Sequence, residues 1–285
     1  MMELYNRSSF SISKLITDNY STSFSLGIKS FDSKYRDPIF AIYGFVRLAD
    51  EIVDTFHGYD KEAILNKFKA DTLEAIDLGI STNPILHSFQ QIVNKYNIDK
   101  DLILEFLKSM EMDLTNSYYH KKQYDEYIYG SAESVGLMCL KVFTNNDIEK
   151  YEQLAPFAKK LGSAFQKVNF LRDIKSDIEE RGRIYLPGVD KEFKMNEESK
   201  QSLEKEAENE FRIALVGIMK LPKEVRLGVY LAYIYYQSLF QKIKLSPLKV
   251  LRERRVRVSN FKKSWLFIKS FVEIKLLEFE YVYSD

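Results

Sequence analysis

Helix breakers are spread so thinly along this chain that most of it lies in long uninterrupted segments. The six prolines fall at 38, 84, 156, 187, 222 and 247, and only eleven glycines accompany them. Proline lacks the backbone donor a helix interior needs, and both residues punctuate regular structure. Between these breakers, Ala63 to Leu78, Leu102 to Leu114, Leu203 to Met219 and Leu227 to Ile243 repeat apolar residues at three- and four-residue intervals, the period of a helix with one buried face. No convincing set of alternating strand segments accompanies them. Asn83-Pro84, Asn145-Asn146, Pro187-Gly188 and Leu221-Pro222 read as turns between helices, with Gly188 to Ser199 the most polar connection. The chain is therefore predicted to be all-α. At 285 residues without a biased linker, it is expected to be one domain over 1–285, large enough to bury a core and keep an internal cavity.

Charge and composition narrow the function. With 42 Lys+Arg against 41 Asp+Glu, no nucleic-acid surface is indicated, and the 45% apolar content is that of a folded chain. Cys139 is the only cysteine, which precludes an internal disulfide and a cysteine metal cluster and fits a reducing cytoplasm. His57, His87 and His120 share no ligand spacing. The N-terminal MMELYNRSSFSISK lacks the apolar stretch of a signal peptide, and no run of about 18 apolar residues occurs, so membrane contact is expected to be peripheral. Seven cations between Lys249 and Lys263 stand beside the single Glu253. They read either as a solvated helix face or as a contact for phosphate or anionic lipid. The 20 Phe and 19 Tyr supply more ring surface than a core of this size usually needs.

Two acidic constellations carry the chemistry. Within IFAIYGFVRLADEIVDTF, Asp50 and Asp54 are i,i+4 neighbours on one helical face. Their surroundings are apolar apart from Arg47 and Glu51, so two like charges lie close together in a buried setting, which is costly unless a cation joins them. In the second, Asn169, Asp173 and Asp177 stack as one stripe with Gln166 just before it. All are hard oxygen ligands, without His or Cys, which suits Mg²⁺ rather than zinc or copper. Mg²⁺ completes its shell with water and substrate phosphates, so two such stripes imply a phosphorylated ligand between them. Arg47, Arg172, Arg181 and Arg183 add fixed cations suited to diphosphate oxygens.

These residues carry a resemblance. Phe40 to Asp54 and Leu161 to Pro187, with NFLRDIKSDIEERGRIYLP inside the second, are similar to the two signature regions of the squalene/phytoene synthase family. Tyr20-Ser21-Thr22-Ser23-Phe24 resembles that family's N-terminal substrate segment, and YIYGSAESVGLM (Tyr127 to Met138) its central helix, so the likeness runs from about residue 10 to about residue 265. The resemblance implies an isoprenoid synthase-type helical bundle around a central cavity. It also implies that Asp50, Asp54, Asn169, Asp173 and Asp177 hold Mg²⁺, with Mn²⁺ as a substitute, bridging two substrate diphosphates. Ser21, Ser23, Phe24, Tyr43, Arg47, Gln166, Arg172 and Tyr236 fall on contacts to diphosphate or to the reacting ends of the prenyl chains. Tyr127 and Tyr185 fall on active-site tyrosines. Glu51, where many members carry a second Asp, and Gly130-Ser131, where many carry bulkier or apolar residues, depart from the pattern. The final SWLFIKSFVEIKLLEFEYVYSD, 264–285, matches none of its motifs and reads as a cap or a membrane-facing helix.

The activity so implied is Mg²⁺-dependent head-to-head condensation of two prenyl diphosphates through a cyclopropylcarbinyl diphosphate. The overall pattern is nearest to bacterial phytoene synthases, so the expected reaction is phytoene formation from two geranylgeranyl diphosphates, which requires no NADPH. Squalene or dehydrosqualene formation from farnesyl diphosphate is the alternative. A non-catalytic helical assembly factor of the same fold is the remote one, disfavoured because both acidic stripes and their arginines are intact.

Overall fold

Among residues 1–186 and 196–276, which the computed structural model describes, every extended element is a helix. In chain order these are α1 (Met2–Tyr20), α2 (Thr22–Lys29), α3 (Ser33–Asp54), α4 (Lys61–Leu78), α5 (Pro84–Lys95) and α6 (Lys100–Thr115). There follow α7 (Lys121–Ile128), a π-helical turn at Tyr129–Glu133, α8 (Ser134–Thr144) and α9 (Ile148–Glu179). The remainder are α10 (Glu197–Lys220), α11 (Lys223–Lys244), α12 (Leu248–Glu253), α13 (Asn260–Phe271) and a second π-helical turn at Val272–Leu276. The isoprenoid synthase-type bundle expected from the sequence is the fold observed. No described helix is long and apolar enough to cross a membrane.

The four periodic segments each lie inside a helix: α4, α6, α10 and α11. Asn83-Pro84 is a helix start. The Asn83 side chain accepts from the amides of Ile85 and Leu86, and Pro84 occupies the first helical position of α5, where its missing N–H is no loss. Asn145 and Asn146 both take positive φ, 49° and 67°, and turn the chain between α8 and α9. Leu221-Pro222 separates α10 from α11. The Pro187-Gly188 turn and residues 188–195 of the polar connection lie outside the described residues. Two prolines do not break the chain: α3 runs through Pro38 and α9 through Pro156. Each helix gives up one backbone hydrogen bond there, and tertiary packing over 22 and 32 residues outweighs that local loss.

Two apolar clusters form the interior. One gathers α3, α5, α6 and α8 around Phe45, whose ring stacks on Phe89 at 3.9 Å and lies 5.6 Å from Phe68. The other gathers α9, α10 and α11 with a group of tyrosines that includes Tyr119, Tyr127 and Tyr185. Glycine allows close approach at two joints. A Cβ on Gly130 would lie 2.4 Å from the Glu105 carbonyl oxygen, so the π-helical turn rests directly on α6. A Cβ on Gly228 would lie 2.4 Å from the Gly27 carbonyl oxygen, where α11 meets α2.

Phe45 sits on the helix that also carries Asp50 and Asp54, so its packing fixes the position of the acidic end. Phe45→Ala removes a fully buried ring and is expected to cost about 3–5 kcal/mol. Urea unfolding followed by circular dichroism would read this as a lowered midpoint with an unchanged slope.

Candidate active site

A cavity of about 390 Å³ lies between the two clusters, and its wall is assembled one helical face at a time. α3 contributes Ile39, Ile42, Tyr43, Val46, Arg47 and Asp50; α9 contributes Leu154, Phe157, Ala158, Leu161, Gly162, Phe165, Gln166 and Asn169. Both sets follow three- and four-residue spacing, so each helix turns a single stripe inward. At 1.5 Å per residue, Ile39 to Asp50 spans about 16 Å and Leu154 to Asn169 about 22 Å. One end of each stripe is apolar, and the other carries the charged and amide groups. Phe31, Leu140, Phe143, Phe157 and Leu221 line the apolar part, where Phe31 and Phe143 meet edge to face at 5.3 Å.

Rings cluster toward the polar end. Phe24 lies 5.9 Å from Tyr43 and 6.0 Å from Tyr236, and Tyr236 stacks on Phe165 at 3.9 Å. The Tyr236 hydroxyl donates to Asn169 Oδ1 at 3.2 Å. Gln166 Oε1 accepts from Asn169 Nδ2 at 3.4 Å. Ser21 caps α2 by accepting from the Phe24 amide at 3.2 Å. Phe24, Tyr43, Arg47, Asp50, Tyr127, Gln166, Asn169 and Tyr236 line the cavity, whereas Ser21, Ser23, Asp54, Arg172, Asp173, Asp177 and Tyr185 lie outside its wall.

The acidic stripes face a lattice of arginines. Arg47 binds Asp50 at 2.6 Å and also Glu51, and its guanidinium lies 4.3 Å from the centre of the Tyr20 ring. Arg181 joins the two stripes, with Nε 2.9 Å from Asp54 Oδ2 and Nη1 3.1 Å from Asp177 Oδ1. Arg183 takes the other Asp54 oxygen at 2.7 Å. Asp173 receives Arg172 through two bonds of 2.9 and 2.5 Å, and Arg255 at 2.6 Å. The pairing separates the carboxylates, and no three His, Cys, Asp or Glu side chains converge among the described residues.

Burial works against this lattice. Burial, and then the neighbouring Asp54, push the Asp50 carboxyl above its usual range. Burial, and then Asp173, push Asp177 up to about 8. Asp173 goes the other way. Burial acts on it most strongly and upward, but Arg172 and Arg255 together outweigh that and hold it low. Asp177 also lies in the last turn of α9, and Asp50 just before the last turn of α3, where the helix dipoles add negative potential. Buried hard oxygen donors with like-charged neighbours are the environment a divalent cation fits.

Sequence reasoning missed a third group. Asp113, near the end of α6, is buried, and its carboxylate accepts from Tyr119 at 2.9 Å, Tyr185 at 2.7 Å and Tyr127 at 2.9 Å. Arg183 lies 3.5 Å from Asp113 Oδ2 and donates from Nε to the Asp113 carbonyl oxygen at 3.0 Å. Burial raises the pKa of Asp113 and raises those of all three phenols. A parallel bridge between Tyr118 and Ile184 brings the two tyrosine-bearing segments together. The available signal was a carboxylate in register with Leu102, Phe106 and Met110 on the buried stripe of α6. Arg255 had only the weaker signal of a basic run.

Comparison with known proteins covers the same span. The squalene/phytoene synthase family profile matches residues 17–262. The phytoene synthase of Arthrospira platensis is 26% identical over 272 residues, which cover 86% of this chain and 87% of that protein. The 15-cis-phytoene synthase of a Synechocystis species is 29% identical over 268 residues, covering 86% and 79%. Among solved structures, a dehydrosqualene synthase in complex with ligand superposes with a TM-score of 0.80 at 23% identity, over 95% of this chain and 98% of that one. Squalene synthase HpnC from Alicyclobacillus acidocaldarius superposes with a TM-score of 0.72 at 20% identity, over 85% and 95%.

The raised Asp177 gives a signed pH dependence. Its folded-state pKa of about 8 exceeds the ordinary 3.8, so its contribution to stability is complete below that ordinary value and is lost as pH rises through about 8. With a chelator present, thermal unfolding is expected to move to lower temperature across that window, and Asp177→Asn should flatten the upper part of the decline.

Proposed function

The chain belongs to the squalene/phytoene synthase family, and on that premise we propose that it is a phytoene synthase. It is a prenyltransferase that joins two geranylgeranyl diphosphates head to head. The observation that carries this reading is the cavity itself, whose apolar length suits a long hydrocarbon chain and whose other end offers Asp50, Arg47, Gln166 and Asn169, with the Arg172–Asp173 pair outside its wall. Relatives that align over most of both chains are phytoene synthases.

Asp50, Asp54, Asn169, Asp173 and Asp177 are the residues that would hold Mg²⁺ or Mn²⁺, which supplies charge neutralisation for a departing diphosphate. Arg47 and Arg172 present guanidinium forks matched to diphosphate oxygens. Gln166 and Asn169 add neutral contacts at the same end of the cavity. Ser21 and Ser23, on and beside the cap of α2, belong to the same diphosphate-facing rim.

Ionisation of one allylic substrate releases diphosphate and leaves a carbocation, which the double bond of the second captures; loss of a proton then closes the ring of a cyclopropylcarbinyl diphosphate. A second ionisation and rearrangement forms the 1-1′ bond, and proton loss completes the product without NADPH. Phe24, Tyr43, Phe165 and Tyr236 surround the reacting ends with ring faces that stabilise positive charge without attacking it. Tyr127 lines the cavity while its hydroxyl is engaged by Asp113, so its ring is fixed and its oxygen is held back from the cation. Tyr185 is held through the same carboxylate. The apolar wall excludes water, which would otherwise trap the cations as alcohols.

Purified protein incubated with Mg²⁺ and either geranylgeranyl or farnesyl diphosphate, with and without NADPH, is expected to yield a C40 hydrocarbon from the former alone and without reductant. A C30 product would assign it instead to squalene or dehydrosqualene formation, and no product from either would point to a non-catalytic assembly factor. Asp50→Asn and Asp173→Asn should each lower turnover about a hundredfold or more, with helicity unchanged. Near-normal activity in either would remove that residue from the site.

A further inference from the structure

α13 is built inside out. A helix on a protein surface ordinarily turns its apolar stripe inward and its polar groups to water. α13 packs against α11 and buries Leu266 and Ser270. Its outward side carries Phe261, Trp265, Ile268 and Phe271, which are 84, 52, 61 and 42% exposed. With 3.6 residues per turn, Phe261, Trp265 and Ile268 fall within an arc of about 60°, and Phe271 about 60° beyond it. Lys262 and Lys269 fall on the opposite edge, and Lys269 lies 5.6 Å from the centre of the Trp265 ring. The helix is held in place from behind, where Lys263 Nζ donates to Thr22 Oγ1 at 3.2 Å.

The charge around this stripe is mainly positive. Residues 249–273 carry eight Lys/Arg against two Glu, in a chain whose net charge is only +1. In the segment entering α13, Val256 and Val258 are buried while Arg254 and Arg257 point to solvent. Arg254, Arg257 and Lys262 have no acidic partner among the described residues.

We propose that α13 and the basic segment before it form an interfacial anchor that lays the protein on an anionic lipid bilayer. Phe261, Trp265 and Ile268 enter the acyl boundary, and Arg254, Arg257 and Lys262 meet headgroup phosphates. Tryptophan and long cationic side chains both favour that depth, where one end is apolar and the other wet. The charge also argues against a second copy of the chain as occupant. A two-fold contact through this stripe would set each basic cluster against its own image. Neither feature depends on what the cavity holds.

Trp265 is the only tryptophan in the chain, so the native protein carries its own probe. Its fluorescence is measured without prenyl substrate while vesicles are added, either phosphatidylcholine alone or phosphatidylcholine with phosphatidylglycerol. Anionic vesicles are expected to shift the emission to the blue and to reduce quenching by acrylamide, with neutral vesicles much weaker. Phe261→Ser with Ile268→Ser keeps the probe and should weaken binding about tenfold or more. Arg254→Gln and Arg257→Gln should each weaken it roughly fivefold, on anionic vesicles only. Unchanged emission with anionic vesicles would overturn the proposal, as would undiminished binding by the Phe261/Ile268 variant. A blue shift that follows protein concentration without lipid, together with a dimeric mass in sedimentation, would assign the stripe to a second copy instead. Since no turnover is read, failure here leaves the assignment of the cavity untouched.

Discussion

The carboxylate of Asp54 lies between two arginines that leave the chain two residues apart, Arg181 on one oxygen and Arg183 on the other. Asp54 ends α3, and the arginines follow the end of α9, so this contact ties together two helices whose acidic turns face the same region. Arg181 carries the connection on to Asp177 and Arg183 carries it to Asp113. A half-buried carboxylate needs such partners, because desolvation disfavours its charged form. Given that contact, the relative placement of both stripes follows.

The electrostatic problem the fold must manage is set by direction. α3 and α9 bring their C-terminal turns to one end of the cavity, and each ends in carboxylates, so side-chain charge and helix dipole add instead of cancelling. Arginines pair with these carboxylates, and burial, with a neighbouring carboxylate second, still raises the pKa of Asp50 and Asp177. Buried carboxylates whose charged form is disfavoured gain from a cation brought beside them, which favours a cationic or cation-accompanied ligand. The apolar remainder of the cavity gives that ligand a second, unrelated requirement of length and greasiness. Two demands of opposite character at the two ends of one cavity select an amphiphile with an anionic head.

Asp113 supplies rigidity of another kind. Its two oxygens and the carbonyl of the same residue bind three tyrosines and Arg183, so elements far apart in sequence share one acceptor. Tyr127, the one of the three that lines the cavity, is held by this contact with its hydroxyl engaged. Tyr119 and Tyr185 lie 4.9 Å apart and Tyr127 and Tyr185 4.8 Å apart, so the three rings pack against one another.

The sequence by itself determined the helical class, because the apolar period is local and each helix needs only its own residues to declare it. It also determined Asp50 and Asp54, and Asn169, Asp173 and Asp177, as single-face stripes, since spacing within one helix fixes which side chains share a side. Pro38 and Pro156 lie inside helices, because packing of a long helix outweighs one missing hydrogen bond. Only the tertiary structure decided that Arg181 spans both stripes, that Arg255 reaches Asp173 across 82 positions, and that Asp113 gathers three tyrosines. It likewise decided that the apolar side of α13 faces outward, although its pattern reads like that of any buried stripe. These last facts depend on which helix lies beside which, and the free energy that sets those neighbours is summed over the whole core, so no local stretch of chain encodes it.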